Sequence, residues 1–177
     1  EQQAQTRQRI VEAAVDLHST VGPAQTTFSM VAERAGVQRH TLYAHFPDER
    51  SLLTACSGLH AQTNPAPDAQ TWRAIQDRRE RLIAGLVAIY RWYGGNAQLL
   101  ACVLRDAELT PLVREINEQT FGRIIADWHD VLGDKLDADQ RPMLALALSF
   151  HTWRTLVTQA GLTPEAAEPA ADTATPA

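Results

Sequence analysis

Apolar residues recur at intervals of three and four along nearly the whole chain. Nowhere does a strict apolar–polar alternation hold for a strand's length, so the pattern predicts an all-α fold. Ile10, Ala13, Ala14 and Leu17 mark one face of a first helix over residues 5–20, which Gly22-Pro23 stops. Thr27 can cap a second helix that carries Phe28, Val31, Ala32 and Ala35, and Gly36 suits the turn after it. A third, short helix covers residues 38–45 and is followed by Pro47. Asp48 can cap a fourth, with Leu52, Leu53 and Cys56 turned inward.

Asn64-Pro65-Ala66-Pro67 is the clearest break. It divides the chain into residues 1–63, with 48–63 as a connecting helix, and residues 64–177. The larger part predicts a long helix over residues 68–93, with Trp72, Ile75, Leu82, Leu86, Ile89 and Tyr93 on one stripe, ended by Gly94-Gly95-Asn96. A shorter helix over 99–106 follows, then a long one from Pro111 through Ile116, Phe121, Ile125 and Trp128 to Gly133. A last helix over 138–160 carries two adjacent apolar stripes, Met143-Leu146-Phe150-Trp153-Val157 and Leu144-Leu148-His151-Thr155. From about Thr163 the chain turns to Ala, Pro and acids, a weakly structured tail whose only helical start is Pro164-Glu165-Ala166.

Composition narrows the classes. A chain of 177 residues with 45% hydrophobic content can bury a core without cross-links. Cys56 and Cys102 are too few for a disulfide framework, which fits a reducing, cytoplasmic setting. No apolar run approaches the roughly 20 residues of a membrane span, and no secretory signal is visible. Because the chain opens at Glu1 rather than Met, a preceding segment with some basic residues is an expectation of this reading.

Charge alone does not announce a nucleic-acid binder. The net charge is −5; residues 1–63 hold five arginines against six acids, a balance of −1. Any basic footprint must come from the placement of a few arginines.

Residues 31–53, VAERAGVQRHTLYAHFPDERSLL, nonetheless have the dimensions of a helix-turn-helix. Val31, Ala32, Ala35, Val37, Leu42 and Phe46 can hold the pair of helices against the first and fourth. That leaves Gln38, Arg39, His40, Thr41, Tyr43 and His45 outward. Gln and Arg can pair with purine edges in the major groove. Thr, Tyr and His can hold phosphate oxygens, as can the helix N-terminus at Thr27. The bland alternative, a short amphipathic helix with a solvated face, weighs about equally on periodicity alone.

The ordered string TTFSMVAERAGVQRHTLYAHFPDERSLL, with Thr27, Val31-Ala32, Ala35-Gly36-Val37, Thr41-Leu42-Tyr43, His45-Phe46 and Leu52-Leu53 in place, resembles the N-terminal signature of the TetR family of bacterial transcriptional regulators. The resemblance implies an all-helical homodimer with an N-terminal three-helix DNA-binding domain and a larger C-terminal domain for dimerisation and a small-molecule effector. It implies that Thr27, Gln38, Arg39, His40, Thr41, Tyr43 and His45 face a double-stranded DNA operator, with repression as the usual output. Four positions depart from the family's pattern. Met30 stands where Glu often closes a capping box, Gln38 replaces a small hydroxyl residue, Ala44 replaces an aromatic one, and Glu49 stands in place of a phosphate-facing Lys. Glu49 would repel the backbone unless Arg50 turns inward to offset it.

In the larger part, the two apolar stripes of the last helix both require burial. One can meet the domain's own core; the other, marked by Leu144, Leu148 and Thr155, calls for a two-fold partner, with a monomer built on one central helix as the alternative. The aromatic residues Trp72, Tyr90, Tyr93, Phe121, Trp128 and Phe150, with Arg105, Asn117, His129 and His151 as polar groups, are candidates for the lining of an effector pocket, hence a hydrophobic or aromatic effector. No cofactor is expected. Nothing in the sequence reads as a phosphate loop, a zinc site or a nucleophile elbow, so an enzyme is not expected. Cys56 and His60 are two potential ligands without a third. A helix-turn-helix module that binds protein instead of DNA is the remaining rival, favoured by the −1 balance and by Glu49.

Overall fold

The computed structural model describes residues 1–161, and the expected tail from about residue 163 lies outside them. Among the described residues there is no strand, and the all-α class expected from the periodicity is the class observed. The helices are α1 (Gln2–Thr20), α2 (Phe28–Ala35), α3 (Arg39–His45), α4 (Glu49–Thr63), α5 (Arg78–Leu109), α6 (Pro111–Leu132), α7 (Gln140–Ala147) and α8 (Phe150–Arg154), the last running on as a π-helical turn, Thr155–Gln159.

The chain forms two compact units. The first comprises residues 1–65 together with 98–121, and the second residues 66–97 with 122–161. In the first, local signals set the helix ends. The Thr27 hydroxyl accepts the Met30 N–H, and the Asp48 carboxylate accepts that of Ser51. Gly36 closes α2 in the left-handed conformation at φ 64°, which a side chain would disfavour. Ile10, Ala14, Val31 and Leu42 are fully buried and Phe46 nearly so, packing α1, α2 and α3 around one core. Arg34 pairs with Asp16, tying α2 to α1, and the Arg7 guanidinium lies over the Phe46 ring at 4.9 Å. Leu53 of α4 packs in a second cluster with Ala107, Val113 and Ile116.

The second unit is built on aromatic rings. Tyr93 meets Phe150 at 5.5 Å, Trp153 at 6.1 Å and Trp128 at 6.5 Å, and Trp92 meets Trp128 edge-on at 6.0 Å. Trp128 Nε1 donates to the Pro67 carbonyl at 2.8 Å, whereas the buried Nε1 of Trp153 has no hydrogen-bond partner among the described residues.

Three expectations about helices fail. The long helix does not begin at residue 68. Ala69–Trp72 form a 3₁₀ turn capped by Asp68, and α5 starts at Arg78 with the Asp77 carboxylate accepting the Glu80 N–H at 2.8 Å. Gly94-Gly95-Asn96 do not end it. Neither glycine adopts a positive φ, Asn96 donates its side-chain amide to the Trp92 carbonyl, and burial of Tyr90, Tyr93 and Leu100 on either side outweighs roughly 1 kcal/mol of lost propensity per glycine. The predicted helix over 99–106 is therefore the end of α5. The last helix is also not continuous: it breaks between α7 and α8, where the Ser149 hydroxyl caps α8 by accepting the His151 N–H. Two tyrosine hydroxyls take carbonyls at the break, Tyr90 on Ala147 at 2.9 Å and Tyr93 on Leu148 at 2.6 Å.

Candidate nucleic-acid interface and internal cavity

The recognition-helix candidate is α3, whose seven residues are held by Leu42 and by Phe46 just beyond its end, 0% and 1% exposed. Its support leaves one face free. Gln38, Arg39 and His40 are exposed, Thr41 and His45 are half-buried, and Tyr43 is 47% exposed. Gln38 is the N-cap residue of α3 yet makes no side-chain capping bond, so its amide is not engaged at the helix start. The Arg39 guanidinium forms no ion pair among the described residues. His40 Nε2 lies 3.4 Å from the Thr41 hydroxyl, and the Tyr43 ring packs on Phe28 of α2 at 5.1 Å. Thr27 is exposed at the N-terminus of α2.

Glu49 is exposed at the start of α4. Its neighbour Arg50 forms a two-pronged pair with Glu115 at 2.8 Å on each branch, and that bond holds the Glu115 carboxyl below its usual range. The charge of Glu49 thus has no offset from Arg50.

The residues expected to line an effector pocket are divided. Asn117 and Phe121 line a cavity of about 40 Å³ inside the first unit, with Val15 and His18 of α1, Leu53, Cys56 and His60 of α4, and Leu100 and Val103 of α5. Burial pushes the His18 imidazole down to about 4 against a weaker opposing pull from Asp106, lowers that of His60, and pushes the Cys56 thiol up to about 12. Arg105 belongs to the same unit but not to the cavity wall: it holds Asp106 at 2.8 Å and the Val21 carbonyl at 2.9 Å. Tyr90, Tyr93, Trp128 and Phe150 are packed together in the second unit, where Trp72 is also buried, His129 is half-buried and His151 exposed. Leu144 and Leu148 are 2% and 4% exposed within the chain's own core, and Thr155 is exposed.

His18 and His60 are cavity residues the periodicity did not single out. The signal for His60 was present, since Leu53, Cys56 and His60 fall on one face of α4. Among the described residues no three His, Cys, Asp or Glu side chains cluster as metal ligands, and no helix is long and apolar enough to cross a membrane.

Residues 10–56, which span this helix-turn-helix, match the family model of bacterial regulatory proteins of the tetR family. Within those residues the chain carries the N-terminal helix-turn-helix region of the TetR family. Among relatives, the chain is 33% identical over 87 residues to the class A tetracycline repressor protein from transposon 1721 of Escherichia coli. That match takes in 46% of this chain but only 40% of the repressor's length. It is 24% identical over 163 residues to the HTH-type transcriptional regulator SrpR of Pseudomonas putida, covering 87% of this chain and 72% of SrpR. A TetR-like transcriptional regulator from Rhodococcus sp. RHA1 shares the fold at a TM-score of 0.69, with 19% identity, over 96% of this chain and 93% of the other.

Proposed function

We propose that this chain is a cytoplasmic, dimeric, ligand-responsive transcriptional regulator of the TetR family, acting as a repressor. Residues 1–63 form its DNA-binding domain and residues 64–177 its ligand-binding and dimerisation domain. It binds a near-palindromic operator through Thr27, Gln38, Arg39, His40, Thr41, Tyr43 and His45. A small hydrophobic or aromatic effector releases it by favouring a dimer geometry in which the two recognition helices no longer match one face of the duplex. The observation that carries the reading is the exposed polar face of α3, with Arg39 unpaired among the described residues, set on the rigid anchor of Leu42 and Phe46. Dimerisation draws support from Ile125 and Leu146 of the second unit, large apolar side chains 40% and 53% exposed.

A second reading, a helix-turn-helix that has become a protein-interaction module, is favoured by the exposed carboxylate of Glu49. Titration of a generic duplex from about 50 to 200 mM salt separates the two. A DNA-binding chain weakens steeply as salt rises; a flat profile, or no binding at low salt, overturns the regulator reading. Operator affinity unchanged across a broad library of hydrophobic compounds would remove the effector from it.

A further inference from the structure

One residue of the first unit's cavity wall, His60, has a fully buried polar atom without a partner. His60 is 8% exposed, and its Nε2 has no hydrogen-bond partner among the described residues. Its other ring nitrogen, Nδ1, lies 3.4 Å from the side-chain nitrogen of Asn64. An amide nitrogen only donates, so Nδ1 is the acceptor, and in a neutral imidazole the proton then sits on Nε2. Asn64 is not part of the cavity wall, which leaves Nε2 for the cavity side of the ring, where Phe121 stands edge-on at 6.4 Å between centroids. The result is a buried N–H donor facing a mainly apolar space.

We propose that this cavity binds a small, uncharged, mainly apolar molecule carrying one hydrogen-bond acceptor, such as a ketone or an ester, which takes the Nε2–H of His60. Size and charge define the class. A volume of about 40 Å³ holds roughly three waters, so the ligand has only a few heavy atoms or displaces side chains as it enters. No Asp, Glu, Lys or Arg lines the space, and burial keeps His18 and His60 neutral, so an ion would be desolvated with nothing to pair it. The wall includes Val15 and His18 of α1, the helix on which α2 and α3 are packed, so occupancy braces the support of the recognition helix directly. The site rests on the regulator reading for its purpose, not for binding itself.

The test uses the full chain without DNA, labelled with ¹⁵N in its histidine rings. Three probes of one shape are titrated by NMR: cyclopentanone, methylenecyclopentane, which has the same outline without an acceptor, and cyclopentanecarboxylate. The ketone is expected to bind about tenfold more tightly than the hydrocarbon, the difference one hydrogen bond makes, and to shift the His60 Nε2 resonance, while the carboxylate does not bind. His60→Leu should bring the ketone down to the level of the hydrocarbon and leave hydrocarbon binding in place, which shows the cavity intact. Val103→Phe, filling the space, should abolish both. Equal binding of ketone and hydrocarbon, unchanged ketone binding by His60→Leu, or shifts confined to the aromatic residues of the second unit would overturn the proposal and leave water as the only occupant. Duplex binding is measured separately, so failure here leaves the salt profile standing, and a flat salt profile leaves this site standing.

Discussion

Asp106 of α5 accepts the main-chain N–H of Ala24 at 2.9 Å, joining positions 82 apart in the chain. Its other carboxylate oxygen receives Arg105 Nε at 2.8 Å, and the same guanidinium donates to the Val21 carbonyl. The loop that follows α1 is therefore fastened to α5 on both sides of Gly22. The carboxylate is 5% exposed, so its bond to the Ala24 N–H is one that water cannot readily replace, whereas Arg105 itself is half-exposed.

Gly22 makes this clasp possible. Its φ is +99°, and a Cβ at that position would collide with the side chains of both Arg105 and Asp106. Gly22→Ala is expected to destabilise the chain by about 2–3 kcal/mol, part from backbone strain and part from hydrogen bonds broken as the two side chains give way. Asp106→Ala should act in the same direction, by about 1–3 kcal/mol, through the unpaired Ala24 N–H. Urea unfolding midpoints measure both, and a midpoint for Gly22→Ala equal to that of the parent would show that the loop is not held as described.

His18 makes stability depend on acidity. Burial lowers its folded-state pKa from 6.5 to about 4, so the unfolded chain binds the proton first. The contribution is complete above pH 6.5, falls as the pH drops through the interval from 6.5 to about 4, and is constant below that. A displacement of this size corresponds to roughly 3 kcal/mol, and the lowered values of His60 and His129 act with the same sign. Unfolding free energy measured at pH 7.5 and pH 5 should differ, and His18→Leu should remove much of the difference. A replacement that leaves the pH dependence intact would assign it to other groups.

The break between α7 and α8 depends on two phenols. Tyr93→Phe removes the donor to the Leu148 carbonyl and Tyr90→Phe the donor to that of Ala147, in each case leaving a buried acceptor unpaired. Each change is expected to cost about 1–2 kcal/mol with little loss of helical circular dichroism. Because the two hydroxyls serve adjacent carbonyls, the double variant should depart from the sum of the singles, which a double-mutant cycle reads directly.

That break also marks where the sequence stops being legible. Thr27, Gly36 and Asp48 act on helix ends within three or four residues of themselves, so α2 and α4 can be read from local chemistry. Asp77 followed by Glu80 is the same kind of signal, an acidic cap three residues before a Glu, and it locates the start of α5 better than the apolar stripe does. The continuity of α5 through Gly94-Gly95 is different, because it is decided by what Tyr90, Tyr93 and Leu100 pack against. Likewise the pair of stripes on residues 138–160 gives no sign that Ser149 caps a new helix, since the carbonyl partners are tyrosines more than fifty positions away. At the candidate site, the outward set on α3 follows from the spacing of Leu42 and Phe46, whereas the cavity needs α1, α4, α5 and α6 at once and so has no local signature.

For DNA the groups of α3 should separate by role. Arg39 is exposed and can reach a base edge with two donors, so Arg39→Ala is expected to lower operator affinity by about 1–3 kcal/mol and to relax base preference at one position of each half-site. Tyr43 is braced by Phe28 and suits a phosphate, so Tyr43→Phe should weaken all duplexes alike and leave preference unchanged. Glu49 provides the opposite sign. It is exposed without the offset that Arg50 would supply, because Arg50 is spent on Glu115. Glu49→Lys should therefore tighten binding to any duplex and steepen the dependence of log affinity on log salt by about one unit, the signature of one added phosphate contact. Fluorescence anisotropy with operator and scrambled duplexes across a salt series gives all three quantities. If Glu49→Lys leaves the slope unchanged, the start of α4 does not lie against the phosphate backbone. If Arg39→Ala and Tyr43→Phe both match the parent, α3 is not the element that reads the groove.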